Sequence, residues 1–153
     1  MAVEDFRALI KDICLLARIE NPERFQKEAQ LQVDGINFTL LEGAKRDAGA
    51  VIYFCDFGLL PNGEERANAI WRLLEMNLAM FGVGAPSFGI NHENSHVLLM
   101  GAAMLAVIDA EKLLNSFAQY AAQAKRWREN HFLAEPGKNR RKPQPRLPGV
   151  FAR

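Results

Sequence analysis

The segment from Gly63 to Phe81 carries more apolar surface than one core can cover. Its spacing predicts a helix in which Ala67, Ile70, Trp71, Leu74, Leu78 and Phe81 share one stripe. Ala69, Leu73, Met76 and Met80 carry that stripe well round the cylinder, and Asn68, Arg72, Glu75 and the small Ala79 remain as the wettable arc. A surface helix shows one apolar face, so a helix apolar nearly all round must be buried on more than one side. In a chain of 153 residues the economical arrangement is the domain core on one side and a second copy of the chain on the other. A homodimer is therefore expected, with Ala69, Leu73, Met76 and Met80, joined by Trp71, at its interface. Asn77 falls inside the apolar arc and must find a partner, either a structural hydrogen bond or a ligand.

The length fits one domain with a real core. Net charge is +1, but it is unevenly spread: residues 135–153 carry six basic side chains against Glu135 alone, a net of +5. Residues 1–134 hold 13 basic and 17 acidic residues, a net of −4. Two regions are expected, an acidic folded domain (1–134) and a basic, proline-bearing tail (135–153) too polar to pack, hence disordered. No apolar run approaches the roughly 20 residues that cross a bilayer. The N-terminus lacks the basic-then-apolar layout of a secretory signal. A cytoplasmic protein without a membrane partner is expected. Cys14 and Cys55 belong to no CxxC pair and are expected as reduced, small core residues.

A first helix is expected from Val3 to Ile19, with Phe6, Leu9, Ile10, Ile13, Leu16 and Ala17 as its core stripe. Leu15 and Ile19 fall on the opposite side and adjoin, four residues apart, as solvent-tolerated surface or as a docking patch. Leu31 and Val33, then Asp34-Gly35, then Ile36, Phe38 and Leu40 predict a hairpin, because Asp-Gly supplies the positive φ angles of a type I′ turn. That loop pairs Val33 with Ile36 and Leu31 with Phe38 on one face. A third strand, Val51 to Phe57, is apolar on both faces until Asp56. After the second helix come strands around Phe88-Gly89-Ile90 and from His96 to Ala103, then a helix from Asp109, its N-cap, to His131. The order helix, three strands, helix, two strands, helix predicts an α+β fold with an antiparallel twisted sheet flanked by helices.

His92-Glu93-Asn94-Ser95-His96 matches HExxH, the spacing at which a helix brings two zinc-binding histidines to one face, with the Glu polarising the metal-bound water. Here the turn formers Asn91, Asn94 and Ser95 predict a loop between strands, and no third ligand recommends itself. Gly82-Val83-Gly84 follows a helix and precedes a strand, the reverse of a phosphate-binding loop. No catalytic grouping stands out, so no enzyme is expected. Lys138 to Lys142 could contact nucleic acid, but it lacks interleaved aromatics and the body is acidic, so nucleic acid is not an expected partner.

Phe57-Gly58-Leu59-Leu60-Pro61 followed by Leu73-Leu74-Glu75-Met76-Asn77 resembles a strand, Leu-Pro turn and Leu-Leu-x-x-Asn helix. Phe88-Gly89-Ile90 with Leu98-Leu99-Met100, and the late helical Trp127, extend the match over Phe6 to Trp127. In that order and spacing the sequence resembles the Tir-chaperone (CesT-like) family, the class I chaperones of bacterial type III secretion. The acidic body agrees with the family; the basic tail departs from it. The resemblance implies a homodimer that binds the N-terminal chaperone-binding segment of a secreted effector in extended form and keeps it soluble and secretion-competent, without ATP, metal or other cofactor. Effector contact is then expected at Leu15 and Ile19, and at Leu31, Val33, Ile36 and Phe38 where their hairpin face is open; those four read equally well as core. The alternatives are a zinc hydrolase using His92, Glu93 and His96, or a generic α+β interaction domain.

Overall fold

The computed structural model describes residues 5–133; the expected tail at 135–153 lies outside them. The elements follow the expected order: α1 (Phe6–Ala17), β1 (Glu28–Val33), β2 (Ile36–Glu42), β3 (Ala50–Leu59), α2 (Glu64–Met80), β4 (Ser87–Ile90), β5 (His96–Met104) and α3 (Ala110–Asn130). The five strands form one antiparallel sheet in the order β1-β2-β3-β5-β4.

Local chemistry sets the boundaries. Asp5 caps α1 by accepting the Ala8 N–H at 2.7 Å, and Asp109 caps α3 by accepting the Lys112 N–H at 2.8 Å; each satisfies a donor the first turn leaves open. Asp34 and Gly35 take φ of 50° and 82°, and the turn pairs Val33 with Ile36 and Leu31 with Phe38, the expected register.

Strand alternation sends Ala29, Leu31, Ile36, Phe38, Leu40, Val51, Tyr53, Cys55, Phe57, Val97 and Leu99 to one buried face. The helix α3 lies across β3, reaching β1 and β2, and α1 packs on α3. Phe38 stacks on Phe117 at 4.4 Å, and Tyr53 sits between Phe117 and Tyr120 at 5.3 and 5.9 Å. The Tyr53 ring lies directly over Gly101, its cross-strand partner, where any Cβ would collide with the ring. Leu31, Ile36 and Phe38 are therefore core, and their expected effector role is corrected: their face is closed by α3, and Val33 is half-buried at the end of the same face.

The orientation of α2 is also corrected. Ala69 and Leu73 are buried in the protomer's own core, Met76 and Met80 are half-buried against it, and Trp71, Leu74 and Leu78 point outward. Two of the residues assigned to a partner copy thus serve the protomer itself. The reason is Asn77, which shares the Ala69–Leu73 stripe at four-residue steps. Its Nδ2 donates to the Phe88 carbonyl at 3.1 Å and its Oδ1 accepts the Phe88 N–H at 2.6 Å. One side-chain amide thereby satisfies both main-chain groups on the outer edge of β4, and this rotates its stripe inward.

Candidate protein-binding surfaces

Three surfaces are apolar and open. The first is the outer side of α2 with the neighbouring β4. Phe81 is 89% exposed, Leu78 76% and Trp71 65%, with Leu74 and Ile90 also exposed. Ile70, Leu73, Leu74, Phe88, Gly89 and Ile90 line a groove of about 210 Å³ at its base. The Trp71 indole donates to Glu75 at 3.0 Å, which holds the ring along the helix. A contiguous apolar patch of this kind marks an interaction surface.

The second is the face of the sheet turned away from α1 and α3. Leu41, Ile52, Phe54, Leu98 and Met100 are half-buried at its centre. Toward one end, Gln30, Gln32, Asn37, Thr39, Asp56 and Asn91 join Phe54 and Leu98 around a concavity of about 530 Å³. The face borders β1, an edge strand that pairs only with β2. None of the five strands contains a Lys or Arg. Exposed edges are ordinarily guarded by charges, lysine above all, or by proline; β1 has only Glu28, at its start. Sequence reasoning read β3 as apolar on both faces but placed effector contact on the hairpin residues of the other parity. The apolar Phe54 and Ile52, opposite in parity to Tyr53 and Cys55, were the available signal.

The third is the end of α1. Leu15 is 78% exposed, and Leu16, expected in the core, is exposed beside it. Cys14 occupies the buried position, so the core stripe is Phe6, Leu9, Ile10, Ile13 and Cys14. Ile19 is half-buried and packs against the core, so it is only partly available with Leu15.

One end of the sheet is pinned by a polar cluster. A bulge shifts the β3–β5 register between Asp56 and Gly58, and Gly58 takes φ of +96°, a conformation that favours glycine. Asp56 Oδ1 accepts the Gly58 N–H at 2.8 Å and lies 2.9 Å from His96 Nδ1, which must carry the proton to donate to an ionised carboxylate. Arg128 of α3 donates to the carbonyls of Phe57 and Asp56, each at 3.1 Å. His92, Glu93 and Asn94 lie in the β4–β5 turn and His96 opens β5, so the histidines are not presented by a helix. Among the described residues no three His, Cys, Asp or Glu side chains gather in a metal-holding arrangement. Both thiols are buried: desolvation raises the pKa of Cys14, and pushes that of Cys55 up to about 12 with the Asp56 charge adding to it and Arg128 opposing. Neither is poised as a nucleophile.

Residues 24–128 match the Tir chaperone protein (CesT) family. Solved structures share the fold. The ExsC–ExsE complex aligns with a TM-score of 0.64 at 21% identity, over 86% of this chain and 99% of that one. The ExoT–SpcS complex of Pseudomonas aeruginosa aligns at 0.56 and 23%, over 79% and 95%. The heterodimeric ExoU–SpcU complex of the type III secretion system of the same organism aligns at 0.52 and 15%, over 76% and 96%. No curated protein matches the sequence.

Proposed function

The chain belongs to the Tir chaperone protein (CesT) family, and on that premise we propose that it is a cytoplasmic, non-enzymatic bacterial type III secretion chaperone. It works as a homodimer and holds the N-terminal segment of a secreted effector in extended form. The observation that carries this reading is the open sheet face: a half-buried apolar centre at Ile52, Phe54, Leu98 and Met100 on β3 and β5, in a sheet whose edge strand β1 carries a charge only at Glu28. Strand addition there gives sequence-tolerant affinity through main-chain bonds, and the apolar centre takes alternate side chains. Ordering an unfolded segment costs entropy, which broad apolar contact must offset. Leu15, Leu16 and the partly covered Ile19 offer a separate apolar contact on α1, on the other side of the sheet. The two copies meet through Trp71, Leu74, Leu78 and Phe81, with Met76 and Met80 at the border.

Co-purification from the native bacterium, with mass spectrometry of the bound protein, tests the reading. The expected result is a secreted protein protected along its N-terminal segment and lost on Phe54→Asp with Leu98→Asp, the far-ultraviolet circular dichroism being unchanged. A bound protein indifferent to that pair would exclude the open face. For the dimer, Leu78→Glu with Phe81→Glu should sediment as monomer; an intact dimer would remove α2 from the interface.

A further inference from the structure

The strands give the open face of the sheet carboxylates and no Lys or Arg. Alternation turns Glu28, at one corner of β1, and Asp56 of β3 to that side, with His96 of β5 beside Asp56. Glu42, the third strand carboxylate, has the opposite parity at the end of β2. The flanking segments do not reverse the sign. At the end of the sheet away from Asp56, Lys27, Lys45 and Arg46 are matched by Glu28, Glu42 and Asp47. At the Asp56 end, the two turns bordering the face add Asp34, His92 and Glu93, and the first turn of α2 carries Glu64 and Glu65 against Arg66. Arg128 reaches this end from α3, where the main-chain carbonyls of Asp56 and Phe57 hold it.

Within the concavity of about 530 Å³, Asp56 is the one ionisable lining residue; the polar walls at Gln30, Gln32, Asn37 and Thr39 are neutral. It stands two residues from Phe54 on the same face and opposite Leu98, so a carboxylate adjoins an apolar pair. Its side chain is 29% exposed. A carboxylate offers about four lone-pair positions. Among the described residues the chain directs two donors to it, the Gly58 N–H at 2.8 Å and His96 Nδ1 at 2.9 and 3.1 Å from its two oxygens. That leaves acceptor capacity for a donor entering the concavity.

We propose that the extended segment bound on the open face carries a Lys or Arg whose head group pairs with Asp56, two residues from an apolar side chain seated on Phe54 and Leu98. This deepens the proposed chaperone function and rests on the reading of that face as the effector site. The spacing follows from strand geometry. Residues i and i+2 of an extended chain project to one side about 7 Å apart, the interval that separates Phe54 from Asp56 along β3. Selectivity comes from exclusion as well as attraction. An ammonium or guanidinium gains a charge-assisted hydrogen bond, whereas Asp or Glu at the same place meets a like charge. Asp56 is partly solvated and shared with His96, so the preference is several-fold rather than absolute.

Selection of a phage-displayed random dodecapeptide library on the full-length protein, followed by fluorescence anisotropy of the enriched peptides, tests the assignment. The enriched peptides should carry Lys or Arg two positions from Leu, Ile, Phe or Met, with Asp and Glu depleted there. Replacing that Lys by Gln should weaken binding to the native protein about fivefold at low salt, and less at about 1 M ionic strength, where the screening length is about 3 Å. Against Asp56→Asn, which keeps an acceptor for the Gly58 N–H, the Lys and Gln peptides should bind equally. Comparing the two proteins cancels any attraction from charges elsewhere on the chain. No enrichment of Lys or Arg, or a Lys preference that survives in Asp56→Asn, would overturn the proposal. Peptides lost on Phe54→Asp with Leu98→Asp but indifferent to Asp56→Asn overturn it and leave the open face as the effector site. Peptides indifferent to both changes overturn it together with that reading of the face.

Discussion

The two faces of the sheet are built from the same strands by alternate residues, yet they do opposite work. The face under α1 and α3 is sealed by Phe38, Tyr53, Phe57, Phe117 and Trp127, each almost wholly buried, with Gly101 left bare to admit the Tyr53 ring. The other face keeps Ile52, Phe54, Leu98 and Met100 half-covered, with the amides Gln30, Gln32, Asn37 and Asn91, Thr39 and the carboxylate Asp56 toward one end. Stability is concentrated on the first, and the proposed effector contact lies on the second. On that proposal the division is needed, since a face that grips unfolded segments must stay open without endangering the fold.

Substitutions can break or sharpen the contrast. The largest effect is expected from Phe117→Ala, which empties the centre of the sealed face and should cost about 3–5 kcal/mol in urea unfolding. Phe54→Gln on the open face should cost about 1 kcal/mol or less; equal losses would mean that the faces share the load. Next is Asn77→Leu, which leaves both main-chain groups of Phe88 without their amide partner and should cost about 1–3 kcal/mol. Its local signature is faster hydrogen exchange at Phe88. Asn77→Asp keeps the acceptor for the Phe88 N–H and should cost less. The smallest effect concerns pH. Cys55 titrates near 9 when unfolded and near 12 in the fold, so its contribution is intact below about pH 9 and is lost as pH rises toward 12. Tyr53, raised by burial and by Tyr120, adds to the same alkaline loss. Cys55→Ala should flatten the stability profile across that window, and an unchanged slope would assign the loss to other groups.

Much of the fold was legible because its determinants are local. The Asp34-Gly35 turn sets the hairpin and its register within a few residues, and Asp109 marks the start of α3. What was not legible in α2 was direction. Periodicity reports that a helix is apolar all round, but not which stripe meets its own sheet. The polar Asn77 carried that information, since a half-buried amide needs partners such as an unpaired strand edge and so drags Ala69 and Leu73 in with it. In α1 the stripe predicted Leu16 in the core, but Cys14 takes the buried position and Leu16 is left exposed, and which of two nearby apolar residues is covered is a tertiary fact. The open sheet face escaped for a related reason: which parity of a strand is covered depends on where α3 lies, and alternation alone treats the two equally.

The burial of Cys14 and Cys55 has a practical consequence. The described domain offers no thiol to a bulky alkylating reagent while it stays closed, so a single cysteine engineered at Leu15 or Leu78 can carry a fluorophore with the native pair left in place. The native pair then becomes a clock. Their slow modification times how often the sheet and its helices part, and a bound client should lengthen that interval in proportion to how tightly it is held.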